Sequence, residues 1–218
     1  GLVWSTERTI APFYAKVALE ADLHEGTIYD EPTLFGSGYP GTDDAEMSVR
    51  RAALTLSLGG MLNVTGGLLT SHWGLGLMAN DGAHGWKPGS ANFTHTVGGD
   101  RVLRAMVSTS PMPSLGLTAA AAYDVVQHDD ALLEGDEASQ WVAALIYGMG
   151  KPDTAGLYMV SRQQESSSGA LTQVVAIDAM AMSEWPLGSM KLYLATEAAV
   201  VLGGTELGPN AVHRTHDL

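Results

Sequence analysis

The sequence predicts an all-β antiparallel fold, and within that class a transmembrane β-barrel. Three observations point there. Apolar residues recur at every second position through a series of segments, which is the period of an extended strand. The spacers between those segments alternate between long, acidic or glycine-rich stretches and very short Pro/Gly turns. No run of about 18 apolar residues exists, so a helical membrane span is excluded. A barrel in a membrane needs long loops at one rim, tight turns at the other and strands with one apolar face, because its rims meet different compartments.

The segment from Pro12 to His24 sets the pattern. Phe13, Ala15, Val17, Leu19, Ala21 and Leu23 share one face of a strand, with Tyr14, Lys16, Ala18, Glu20, Asp22 and His24 on the other. The alternation outlasts the 9–11 residues that a tilted strand needs to cross a bilayer. Phe13, Val17 and Ala21 also fit a helical i, i+4 spacing, so the neighbouring segments have to decide. Glu25 to Met47 holds six acidic residues and no Lys or Arg, with Gly and Pro throughout, and reads as a long exposed loop. From Ser48 to Ser57, Ala52, Leu54 and Leu56 alternate with Arg51, Ala53 and Thr55. Gly59-Gly60 then predicts a tight hairpin into Met61–Ser71. A second long loop, His72 to Asp100, follows.

The rhythm continues. Arg101–Ser108 is a poorer strand, and Ser110–Pro113 a turn. Leu115, Leu117, Ala119, Ala121, Tyr123 and Val125 line a face opposite Thr118, Ala120, Asp124 and His128. An acidic loop from Asp129 to Glu137 leads to Trp141–Met149, and Gly150–Asp153 turns the chain into Thr154–Gln164. After the loop Glu165–Gly169, the segment from Leu171 runs down to a turn at Glu184–Gly188. Met190, Leu192, Leu194, Ala198 and Val200 then oppose Lys191, Tyr193, Ala195 and Glu197. Ala119–Ala122, Ala143-Ala144 and Ala198-Ala199 carry high helix propensity and keep a soluble α/β domain open as an alternative.

The count is about nine strands, and an odd number cannot close a bacterial barrel. Either a weak strand is hidden, or residues 1–218 are a single barrel domain incomplete at both ends. Gly1 in place of Met and a polar tail, Pro209–Leu218, without a closing aromatic strand favour the fragment. A net charge of −13 argues against nucleic acid as a partner, because phosphates would be repelled. The absence of cysteine excludes disulfides and Cys-based zinc sites.

The stretch Gly67-Leu68-Leu69-Thr70-Ser71-His72-Trp73-Gly74-Leu75-Gly76-Leu77-Met78-Ala79-Asn80-Asp81-Gly82 resembles a segment of poorly characterised bacterial outer-membrane proteins with porin-like barrels. In them an outgoing strand meets an HWGLG-type sequence, and Asn, Asp and Gly follow in an exposed loop. The resemblance implies a location in the bacterial outer membrane and says nothing of solute.

Nucleophile elbows, phosphate loops and zincin signatures are missing, and no enzyme or cofactor is expected. His72, His84 and His95 with Asp81, and the acidic groups Asp43, Asp44 and Glu46 or Asp129 and Asp130, read as solvated loop residues before they read as metal ligands. More informative is the polar face of the strands. Lys16, Glu20, Arg51, Asp124, Arg162, Asp178, Lys191 and Glu197 should point into the lumen, since an Arg or Lys facing lipid costs roughly 2–4 kcal/mol. They would line a pore or, in a narrow barrel, fill it with cross-strand ion pairs. With the long loops as the outer rim, Trp73, Tyr123 and Trp141 fall at outer strand ends and Phe13, Tyr147 and Trp185 at inner ends, as two interfacial girdles would. The expectation is therefore an outer-membrane, porin-like barrel in contact with the lipid bilayer, passing small polar solutes by passive diffusion. The alternatives are a plugged structural or adhesive barrel, and a soluble secreted enzyme or carbohydrate-binding domain.

Overall fold

A computed structural model of the chain describes residues 2–10, 13–24, 27–29, 40–43, 46–81, 100–112, 115–129, 131–132, 134–149 and 151–207. Among these residues there is no helix. The elements in chain order are β1 (Leu2–Ile10), β2 (Phe13–His24), β3 (Thr27–Tyr29), β4 (Pro40–Asp43), β5 (Glu46–Leu58) and β6 (Leu62–Thr70), then β7 (Arg101–Thr109), β8 (Leu117–His128), β9 (Glu137–Tyr147), β10 (Thr154–Glu165), β11 (Leu171–Leu187) and β12 (Met190–Thr205). Ten of them form one antiparallel sheet in the order β1-β2-β5-β6-β7-β8-β9-β10-β11-β12, and β3 pairs with β4 in a separate two-stranded sheet. The α/β alternative is thereby corrected: the alanine runs lie in strands, where pairing with neighbouring strands overrides their propensity.

The sheet is open, with β1 and β12 as its edges, and does not close into a barrel by itself. The alternation missed three strands: β1, where Arg8 interrupts the apolar period, and the short β3 and β4, which with the start of β5 at Glu46 correct the reading of Glu25–Met47 as loop throughout. Within the ten-stranded sheet the strands follow one another in chain order, with β3 and β4 set aside between β2 and β5 and a long connection between β6 and β7. At the β5–β6 turn, Gly59 and Gly60 take φ of 59° and 68°, the left-handed pair that a two-residue hairpin twist demands. The predicted turn at Glu184–Gly188 is shorter than expected. β11 continues through Pro186 to Leu187, with Pro186 opposite Lys191.

The two faces of the sheet have opposite chemistry. One carries Leu54, Leu103, Val125, Trp141, Leu157, Ile177 and Leu194, all exposed. The other, here the inner face, carries the fully buried Asp124 and Asp178 beside small apolar residues such as Ala122, Val142, Val160 and Ala176. Across β5 and β6 the inner face is built from polar pairs, Thr55 with Thr65 (3.0 Å) and Ser57 with Asn63 (2.5 Å). Large apolar groups outside and carboxylates inside invert the order of a water-soluble domain.

Candidate functional site

Backbone register sets Arg104, Asp124, Gln140 and Arg162 side by side across β7, β8, β9 and β10. Antiparallel partners face the same way, so these residues form a polar belt on the inner face. Asp124 accepts bonds from Arg104 Nε (2.6 Å) and Nη2 (2.7 Å) and from Gln140 Nε2 (3.0 Å). The fork geometry of Arg104 suits both carboxylate oxygens, and its Nη2 also reaches Ser71 Oγ at 2.7 Å. A carboxylate with 0% exposure has to be partnered in this way, because an uncompensated buried charge costs several kcal/mol. The next strand repeats the device nearer the long-loop rim. Arg162 donates to Asp129 and, at 2.7 Å, to Gln164 Oε1, and Gln164 in turn donates to Asp136 at 2.8 Å.

The segment Ser71–Asp81 lies against this face. It is held to its own ends by backbone bonds: Ser71 N to Asp100 O (3.1 Å), Trp73 N to Ala79 O (3.0 Å) and Asp100 N to Asn80 O (2.9 Å). Three contacts then fix it to β10, β11 and β12. The Trp73 indole Nε1 donates to Asp178 Oδ1 at 2.9 Å, its ring stacks on Tyr158 with centroids 5.1 Å apart, and the Leu75 amide donates to Glu197 Oε2. Tryptophan suits this seat because one apolar body fills space while one N–H satisfies a buried acceptor. Gly156 supplies the room: a Cβ there would lie 2.7 Å from Trp73 Cη2. Within the segment, His72 Nδ1 sits 3.6 Å from Asp81 Oδ1. Between Gly76–Asn80 and the inner faces of β7, β9, β10 and β11 lies a cavity of 530 Å³.

Register puts Lys16, Arg51, Asp124, Arg162, Asp178, Lys191 and Glu197 on this same inner face. They do not meet at one place. Asp124 and Arg162 belong to the belt, and Asp178 and Glu197 hold the infolded segment. Lys16 instead pairs with Glu7 at 3.3 Å, Glu20 is the register partner of Arg51, and Lys191 pairs with Glu184 beside the β11–β12 turn. Of the aromatics, Tyr123, Trp141, Tyr147 and Trp185 are exposed on the outer face, Tyr123 and Trp141 in ring contact at 4.9 Å. Phe13 is the register partner of Leu58.

Trp73 corrects the sequence reading. It is 5% exposed on the inner face, so it cannot stand at a membrane interface, and the start of the predicted exposed loop His72–Asp100 is buried. Asp129, read as a solvated rim acid, is an ion-pair partner of Arg162. Asp44, Asp130, His84 and His95 fall outside the described residues. Among those described, no group of three or more His, Asp or Glu could share a metal ion.

The chain matches no protein-family model, no curated protein and no solved structure. Function has to be argued from the geometry alone. Sequence reasoning missed Arg104, Gln140 and Tyr158. Arg104 and Gln140 alternate correctly with Leu103 and Trp141, and pairing the strands as hairpins would have aligned them with Asp124.

Proposed function

We propose that the chain forms the wall of a bacterial outer-membrane, porin-like β-barrel whose lumen is narrowed by Ser71–Asp81 and passes small polar solutes without covalent chemistry. The observation that carries this reading is the inverted sheet, with Trp141 at 65% exposure on one face and Asp124 and Asp178 at 0% on the other. In water such a continuous apolar face would drive aggregation; in lipid it is the stable arrangement. Strands of 11, 12 and 17 residues at β9, β10 and β11 are long enough to cross a bilayer. Sieving would come from lumen width and from the field of the charged lining.

The infolded segment favours a second reading, a plugged barrel acting through its loops. Two measurements divide these readings and test both. A membrane barrel stays folded in detergent and migrates faster on an unboiled gel than after boiling; a protein lacking that shift and remaining monomeric in plain buffer would overturn both membrane readings. Conductance in a planar bilayer then separates open from plugged. Where channels form, Lys16→Glu combined with Lys191→Glu should move ion selectivity toward cations, and unchanged selectivity would exclude these residues from the lining.

A further inference from the structure

The 530 Å³ cavity beside the infolded segment is of the size that holds small molecules, and its walls divide into two chemistries. Leu77 and Met78 of the segment face Val160, Val174 and Ala176 of the sheet, which makes an apolar chamber. The belt residues Gln140 and Arg162, with Ser71 and Asp129, bring polar groups to the same space. We propose that this cavity binds an uncharged solute with an apolar body and a hydroxyl-bearing head, of the aryl glycoside kind; the inference deepens the porin-like reading and rests on it.

The charge of the head follows from what the polar wall has already committed. Arg162 gives both terminal nitrogens to Asp129 and one of them also to Gln164, in a pair whose side chains are 16% and 14% exposed. An anionic head would have to take Arg162 from Asp129, and a cationic head Asp129 from Arg162, which leaves a shielded charge alone. The other lining carboxylate, Asp100, is committed to the Asn80 amide at 3.0 Å, so a cationic head there would compete with the bond that holds the segment. The neutral groups are differently placed. Gln140 spends its amide N–H on Asp124 and keeps its carbonyl as an acceptor. Ser71 Oγ accepts from Arg104 and keeps its own O–H as a donor. A hydroxyl, which donates and accepts at once, complements that pair.

The test uses the whole chain in lipid nanodiscs, titrated calorimetrically with phenyl β-glucoside, glucose, benzoate and benzylammonium, with empty nanodiscs as the blank. Saturable binding of phenyl β-glucoside, at least tenfold tighter than of the other three, is expected. Gln140→Leu should weaken it about tenfold, the loss of one good hydrogen bond, and Val174→Trp, which fills the chamber, should abolish it. Leu77→Ala, at an exposed position of the segment, gives a second variant that spares the sheet, with weakening of severalfold expected. Equal or tighter binding of benzoate or benzylammonium, or undiminished binding by folded Val174→Trp and Leu77→Ala, would overturn the proposal. Absence of glucoside binding by protein that inserts and shows the gel shift would sink the solute site alone, whereas absence of the gel shift strikes the barrel.

Discussion

The inner face of β7–β12 and the inner face of β1, β2, β5 and β6 are built on one pattern and end in different states. In the first, Ser71–Asp81 covers the sheet, and to cross-strand bonds such as Arg104 with Asp124 it adds contacts far along the chain, Trp73 to Asp178 being 105 residues apart. In the second, polar side chains bond their cross-strand neighbours, as Lys16 does Glu7 and Thr55 does Thr65. The alternation builds its largest polar network where another segment excludes water; away from it, a pair such as Lys16 with Glu7 stays about half exposed and of small individual worth.

That contrast can be broken by substitution. The largest effect is expected at Asp124→Ala, which strands the Arg104 guanidinium and should cost about 3–5 kcal/mol in denaturant unfolding from detergent. Lys16→Ala, in a pair about half exposed, should cost less than about 1 kcal/mol in the same assay. Equal losses at the two sites would abolish the distinction between the sectors. Next comes Trp73→Ala, which removes a ring stack and a buried donor and should cost about 3 kcal/mol. It should also raise single-channel conductance, and unchanged conductance in a folded variant would show that the segment does not set the lumen width.

The outer face offers the third probe. Leu157→Arg should destabilise a lipid-embedded strand by roughly 2–4 kcal/mol at mid-bilayer depth. The same change on a water-facing strand should stay within about 0.5 kcal/mol, so a small value in liposomes would count against lipid contact. Under the infolded segment a smaller effect is expected at Gly156→Ala. A methyl 2.7 Å from Trp73 Cη2 must displace the ring, at a cost of about 1–3 kcal/mol seen as a shift in Trp73 emission.

Much of this was legible in the residues. Period-two alternation located the central strands and put Asp124, Arg162, Asp178 and Glu197 on a shared polar face; the register sets that face opposite Leu157 and Ile177. Alternation could not see β1, because Arg8 breaks the apolar period there, nor that Pro186 would stay in a strand. Where the loop after β6 would go was hidden for a different reason. The fate of Trp73 depends on Asp178 and Gly156, which become neighbours only through β10–β11 pairing, and no local pattern around Trp73 carries that information.

The seat of Trp73 also orders events in time. Each sheet pairing from β5 to β12 joins elements consecutive in the chain, so the sheet can zip by closing one hairpin after another. The indole has no acceptor until β11 has joined, and the Leu75 amide none until β12 brings Glu197. Seating of this segment therefore waits for β11 and β12, and a fluorescence change trailing the formation of that part of the sheet would be its kinetic signature.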